Sequence, residues 1–175
     1  MLSIAAQLFG LISLVFMVIS YISKNKEKYL SKQVIANAFY GLQFLCLGAM
    51  SGFGISVVAT AKALFFYTEQ KKKGRIGIAS LLIFESLYIL SGIFTVKNAI
   101  SVMPIIISVG YTWAAWQPKM KITCIAGVAA CCLWIIYSQY IGAYVAIISN
   151  IIEGTAALIG FIKQYKKDKT VETTT

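Results

Sequence analysis

Two opposite charges lie inside apolar runs: Lys62 in GFGISVVATAKALFFY and Glu153 in YVAIISNIIEGTAAL. A charge held at bilayer depth costs roughly 3 kcal/mol on insertion scales, so its presence requires a reason. Three are open: a solute or proton pathway, an ion pair that fixes helix register, or a side chain that snorkels to water. Asn150 precedes Glu153 by three residues and shares its face on a helix. Glu85, in the middle of another apolar run, is a second candidate partner for Lys62. Tyr40, Gln43, Gln7 and Trp134 supply amides, a hydroxyl and aromatic faces from further runs. Such a set would bind a small solute: amides to hydroxyls, a ring against a ring, and Lys with Glu against a zwitterion. Each member also has a purely architectural role open to it. Asn150 can hydrogen-bond between helices, and Glu85 can hold a connector in place.

The elements that must carry these residues follow from composition. The chain has 175 residues, is 59% apolar, and has a mean hydropathy of +0.78 with 13% charged residues, against about 25% in soluble domains. That marks an integral membrane protein folded as one helical bundle. Runs near the roughly 20 residues needed to cross hydrocarbon occur at about Leu2–Ile22, Gln33–Met50, Phe53–Thr68, Ile76–Phe94, Ala99–Trp116, Ile122–Tyr140 and Ala143–Phe161. Long unbroken apolar stretches exclude a β-barrel pattern. Seven transmembrane helices are expected, with Lys62 and Glu153 each roughly 15 Å along their helices at 1.5 Å per residue.

Fourteen of the 16 basic residues follow spans one, three, five and seven, while the alternate loops, Ser51-Gly52 and Ile141-Gly142, carry none. The positive-inside rule then places the N-terminus outside and the C-terminus inside, with a polar, frayed tail from Tyr165. Spans one to three and five to seven share a loop pattern, which predicts two parallel three-helix repeats (residues 1–70 and 98–163), a linker helix (76–95) and a cytoplasmic tail (164–175). Sliding the chain by 90 residues pairs Phe44 with Trp134; sliding it by 91 pairs Lys62 with Glu153. Gly10, Gly41, Gly48, Gly110 and Gly127 read as points of close helix approach. Trp113, Trp116, Tyr137, Tyr140, Tyr144 and Tyr165 fall at span ends, where an aromatic belt forms.

Several function classes drop out. The net charge of +10 belongs to short juxtamembrane loops facing anionic lipid, not to a nucleic-acid surface. The chain has no His, and Cys46, Cys124, Cys131 and Cys132 form no C-x-x-C pair, so no metal or cofactor is expected. Neither a Ser-His nor a paired-carboxylate constellation points to an enzyme. The first run has no cation before it, unlike a cleaved signal. The remaining partners are the lipid bilayer and an unidentified small solute, with room for a homo-oligomer. The competing class is a receptor or accessory protein whose buried charges hold architecture or bind a ligand without transport.

Three helices, a linker and three more, with the N-terminus outside, resemble the SWEET and PQ-loop group of small-solute transporters. Within that breadth the chain looks closest to the YgjV-type bacterial inner membrane proteins, over about Leu2 to Lys163. The resemblance implies a multi-pass protein of the inner (plasma) membrane and a sugar-like solute at a midplane site. Pro104 in span five would serve as a helix-breaking hinge and Asn150 in span seven as the site amide. The first half carries Ser13 or Leu14 opposite Pro104, and Ala59 or Thr60 opposite Asn150.

Overall fold

The computed structural model describes residues 2–46, 50–93, 99–140 and 144–172, with side chains placed for 4–46, 53–90, 100, 102–140 and 146–167. Among the described residues the protein is all-helical, with no strand. Seven α-helices follow one another: α1 (Leu2–Tyr21), α2 (Lys26–Cys46), α3 (Met50–Lys73), α4 (Ile78–Ile93), α5 (Met103–Trp116), α6 (Met120–Tyr140) and α7 (Tyr144–Glu172). A single 3-10 turn, Ala99–Val102, leads into α5.

Helix ends fall where local chemistry puts them rather than where the apolar runs stop. The Asn25 side chain accepts the Lys28 amide (2.9 Å), which caps α2 at Lys26, a full two turns before the apolar run at Gln33. Gly74, at φ +68°, takes the left-handed conformation that terminates α3. Pro104 sits in the first turn of α5, where its missing N–H breaks no hydrogen bond. Any bend it imposes therefore falls at the junction of the 3-10 turn and α5. The segment after Tyr165, expected to fray, continues as helix to Glu172. Lys97 and the Ile141-Gly142 loop lie outside the described residues, and the side chains of Ser51 and Gly52 are not placed.

Among the described residues, three helices are long and apolar enough to cross a membrane by length and composition: Ile4–Tyr21, Met120–Tyr140 and Ala146–Lys167. The apolar part of α4, Ile78–Leu90, is shorter. Helices α2 and α3 occupy two of the seven expected spans, but lysine-rich turns at one end of each dilute their apolar stretches. The surface is that of a protein in lipid: Ile78, Ile106 and Ile148 are each at least 60% exposed, whereas Ser13, Ser20, Thr112, Thr123 and Ser138 are buried. Ser13 Oγ donates to the Ala36 carbonyl at 2.7 Å, one of the hydroxyls that bind helix to helix.

Helix α2 packs between α1 and α3, and α6 between α5 and α7; α4 bridges α3 and α5, and α1 touches α7. Contacts between the chain turns gather at one end. Trp116 Nε1 donates to the Ile76 carbonyl (2.9 Å), Gln164 Nε2 to the Ser23 carbonyl (3.1 Å), and Lys26 Nζ to Thr123 Oγ1. This end carries Lys24, Lys71, Arg75, Lys119 and Lys163, and is called the basic end below.

The α3–α4 turn is held by one carboxylate beyond the apolar stretch of α3. Glu69 accepts from Ser80 Oγ (2.6 Å), the Gly77 amide (3.0 Å) and Lys73 Nζ (3.0 Å). The Ser80 hydroxyl, then the Gly77 amide and Lys73, hold its carboxyl below the ordinary value of 4.5. A depressed carboxylate contributes stability above that ordinary value and loses it as pH falls through the depressed one. Glu69→Gln is therefore expected to cost about 1 kcal/mol at neutral pH. Thermal unfolding compared across pH should show the wild-type advantage shrinking as the medium is acidified below about 4.5.

Candidate functional site

A cavity of about 550 Å³ runs through the bundle interior, within the roughly 300–1,000 Å³ range of small-molecule pockets. All seven helices reach it. Helix α3 contributes Ile55, Ser56, Ala59 and Lys62; α7 contributes Ala146, Ser149, Asn150 and Glu153. Both sets follow the three- and four-residue steps of one helix face. Helix α2 adds Asn37, Tyr40, Gln43 and Phe44, and α6 adds Cys131 and Trp134. Single turns of the others close the wall: Met17 and Tyr21 from α1, Tyr88 from α4, Ile107 and Tyr111 from α5.

Lys62 and Glu153 thus line one cavity, yet they do not form an ion pair. Among the described residues the only acid–base contact within 4.0 Å is Lys73–Glu69. Lys62, 6% exposed, donates to Thr112 Oγ1 at 3.2 Å and lies over the rings of Tyr88 (5.2 Å) and Tyr111 (5.7 Å). Those faces carry the negative end of the ring quadrupole, which attracts an ammonium without neutralising it. Glu153 accepts from the Tyr40 hydroxyl at 2.9 Å. Each charge is therefore satisfied in part by neutral groups, and each still faces the same cavity.

The other expected site residues divide. Tyr40, Gln43, Asn150 and Trp134 line the cavity. Asn150 spends one amide proton on the Ala146 carbonyl (2.7 Å) within its own helix. Glu85 is half-buried on α4 and does not line the cavity; its neighbour one turn on, Tyr88, takes the place beside Lys62. Gln7 is exposed and also lies off the cavity. Pro104 stands apart at the start of α5.

Towards the basic end the lining finishes in a polar cluster absent from the sequence-based expectation. Tyr111 Oη shares a hydrogen bond with Tyr21 Oη (2.8 Å), another with Tyr29 Oη, and accepts from Gln33 Nε2 (2.9 Å). Gln33 Nε2 also reaches Met17 Sδ at 3.4 Å. Tyr21 packs edge-on over Gly127, where a Cβ would stand 2.7 Å from the ring. One signal for this cluster was present: the 90-residue slide that pairs Phe44 with Trp134 also pairs Tyr21 with Tyr111. Because Tyr111 serves three partners, Tyr111→Phe should cost roughly 1–3 kcal/mol, more than Tyr21→Phe, which removes one bond. Thermal unfolding of the two variants in detergent checks the order.

The lining positions correspond across the chain. Met17 and Tyr21 of α1 match Ile107 and Tyr111 of α5 at a spacing of 90, and Ile55, Ala59 and Lys62 of α3 match Ala146, Asn150 and Glu153 of α7 at 91. Helices one residue out of step still present equivalent faces to a shared space, because the face is set by steps of three and four.

No curated protein and no solved structure significantly matches the chain. A family model described as a bacterial inner membrane protein, Imp-YgjV, matches residues 4–168, nearly the whole length. An all-helical bundle with a lipid-type surface and a polar interior agrees with that description, and the chain belongs to the Imp-YgjV family of bacterial inner membrane proteins.

Proposed function

We propose that the protein is a small-solute transporter or facilitator of the inner membrane, non-enzymatic, in which two three-helix units move about the shared cavity. Helices α1–α3 and α5–α7 are the units and α4 is the linker. The basic end faces the cytoplasm, and the N-terminus lies outside. The observation that carries the reading is the correspondence of cavity positions: Tyr21 with Tyr111, Ala59 with Asn150, and Lys62 with Glu153. A cavity shared by two like units is the arrangement from which rocking of one against the other exposes a fixed site to each side in turn.

The tyrosine cluster supports the same reading. The bond between Tyr21 and Tyr111 joins equivalent positions of the two units at the cytoplasmic limit of the cavity. Opening towards the cytoplasm separates α1 from α5 and breaks that bond. Tyr29 and Gln33 of α2 hold Tyr111 as well, so the opening breaks three neutral hydrogen bonds, each worth about 1 kcal/mol net.

The test is uptake into proteoliposomes containing the purified protein, using labelled sugars, amino acids, nucleosides and polyamines, with empty liposomes as the control. Saturable uptake of one class above the control is expected. A protein that binds a solute by thermal shift yet moves none of the panel is a receptor or accessory protein, and the transport reading falls.

A further inference from the structure

We infer that the cavity recognises a zwitterion, its carboxylate held at Lys62, which the buried Thr112 hydroxyl positions, and its ammonium at Glu153 and Tyr40. The inference rests on the cavity serving as a binding site, as in the preceding reading, and names the class of solute.

Lys62 and Glu153 both line the cavity without an acid–base contact to each other. Had Lys62 and Glu153 evolved only to fix helix register, the stable arrangement would be direct contact, since a lone buried charge is costly and a neighbouring opposite charge offsets it. They instead line one space, at matched positions of α3 and α7, with no acid–base contact between them within 4.0 Å. Each has one hydroxyl fixed beside it: Thr112 Oγ1 at 3.2 Å from Lys62 Nζ and Tyr40 Oη at 2.9 Å from Glu153 Oε1. An ammonium with one neutral partner keeps donors for a carboxylate. A carboxylate with one donor keeps acceptor sites for an ammonium.

An uncharged solute would displace water from both charges and replace neither lost interaction. A cation would satisfy Glu153 and repel Lys62; an anion would do the reverse. A solute carrying both signs, separated along its length, is the class that satisfies both ends at once. Tyr88 and Tyr111 already face the Lys62 ammonium. Phe44, stacked on Tyr40, and Trp134 also line the cavity and offer aromatic surface to the apolar part of the solute or to a substituted ammonium.

The test is binding by thermal shift and calorimetry with the full-length protein in detergent or nanodiscs. The panel is glycine, L-alanine, L-leucine, L-phenylalanine, L-glutamine and glycine betaine, with D-glucose, uridine and putrescine as the uncharged and cationic comparisons. For any zwitterion that binds, two analogues follow: its amide or ester, lacking the carboxylate, and its deamino acid, lacking the ammonium. Each analogue is expected to bind roughly 30-fold or more weaker than its parent, the loss typical of removing one member of a buried charge contact. In Lys62→Met the parent and the amide should bind equally; in Glu153→Gln the parent and the deamino acid should. Thr112→Val and Tyr40→Phe, which keep both charges, should weaken the parent and its matching half-analogue several-fold. They carry the test if either charge variant fails to fold.

Analogues that bind as well as their parents overturn the assignment, as does silence from every zwitterion. Binding or uptake of glucose or uridine with zwitterions silent overturns the solute class and leaves transport standing. A zwitterion that binds with the crossed analogue pattern but does not cross proteoliposomes keeps the class and removes transport. Silence across the whole panel in both binding and uptake removes both.

Discussion

Lys62→Met is expected to lower solute uptake roughly 100-fold while leaving the thermal stability of the protein unchanged or raised. The two halves of that result come from the same geometry. Lys62 is buried at 6% exposure with a hydroxyl at 3.2 Å and two ring faces beyond 5 Å, and no described carboxylate lies within 4.0 Å. Had it formed an ion pair with Glu153, removing it would strand the glutamate and cost about 3–5 kcal/mol, and a second change, Glu153→Gln, would restore part of the loss. Without contact between them, the two changes should act on stability independently, adding within about 0.5 kcal/mol. Met is unbranched and similar in length, so it fills the Lys62 volume while removing an ammonium that the bundle must desolvate. Thr112 keeps its hydroxyl free to bond elsewhere. The solute, on the other hand, loses the only cation that lines the cavity among the described residues. Thermal unfolding and uptake for the two single variants and the double one separate the cases. A double variant more stable than Lys62→Met by several kcal/mol would restore the ion-pair reading and withdraw the charge from the site.

The helical architecture was legible in the sequence because membrane spans are signalled by composition over some 20 residues, a signal that survives irregular ends. The ends themselves were not legible. Asn25 caps α2 well before its apolar run, and α7 continues for three turns past Phe161 through a lysine-rich polar stretch. The site was partly legible. Lys62, Glu153, Asn150, Gln43, Tyr40 and Trp134 stand out as polar or aromatic residues within apolar runs, and all six line the cavity. Glu85 stands out for the same reason and does not, because an isolated sequence position carries no information on which way its helix face turns; Tyr88, one turn on, takes the inward place. The tyrosine cluster was missed for a related reason. Tyrosines near span ends default to an interfacial belt, and only the packing of α1 and α2 against α5 turns Tyr21, Tyr29 and Tyr111 inward onto one another. Trp113 and Tyr140, by contrast, are 50% and 66% exposed.

Gly160→Ala is expected to be among the most damaging single changes, costing roughly 3 kcal/mol and disturbing the cavity some distance away. Gly160 was not among the glycines picked out from sequence, yet among the described glycines it makes the closest approach. A Cβ there would stand 2.2 Å from the Tyr21 carbonyl oxygen and 3.2 Å from Cys124 Sγ. A long side chain in the way could rotate aside, but the obstacle is backbone, in the last turn of α1, so α1 and α7 must separate. Overpacking of a tight contact typically costs about 1–3 kcal/mol, and a backbone obstacle puts this one at the upper end. Tyr21 is also the residue whose hydroxyl meets Tyr111 and whose ring covers Gly127. Moving its backbone therefore pulls apart the basic-end limit of the cavity, and uptake should change along with stability. Gly54 and Gly110 provide the matched comparison: both lie within helices, and a Cβ added at either would meet no atom within 4 Å. Alanine at either should be neutral or stabilise by up to about 1 kcal/mol, because it removes the conformational freedom of glycine from a helix interior at no steric cost. If Gly160→Ala tolerates heat as well as Gly110→Ala does, α1 and α7 are not in contact at this point, and the two helices cannot wall the cavity together. If it falls apart from both controls, the contact that brings the first helix to the last is the one on which the enclosure depends.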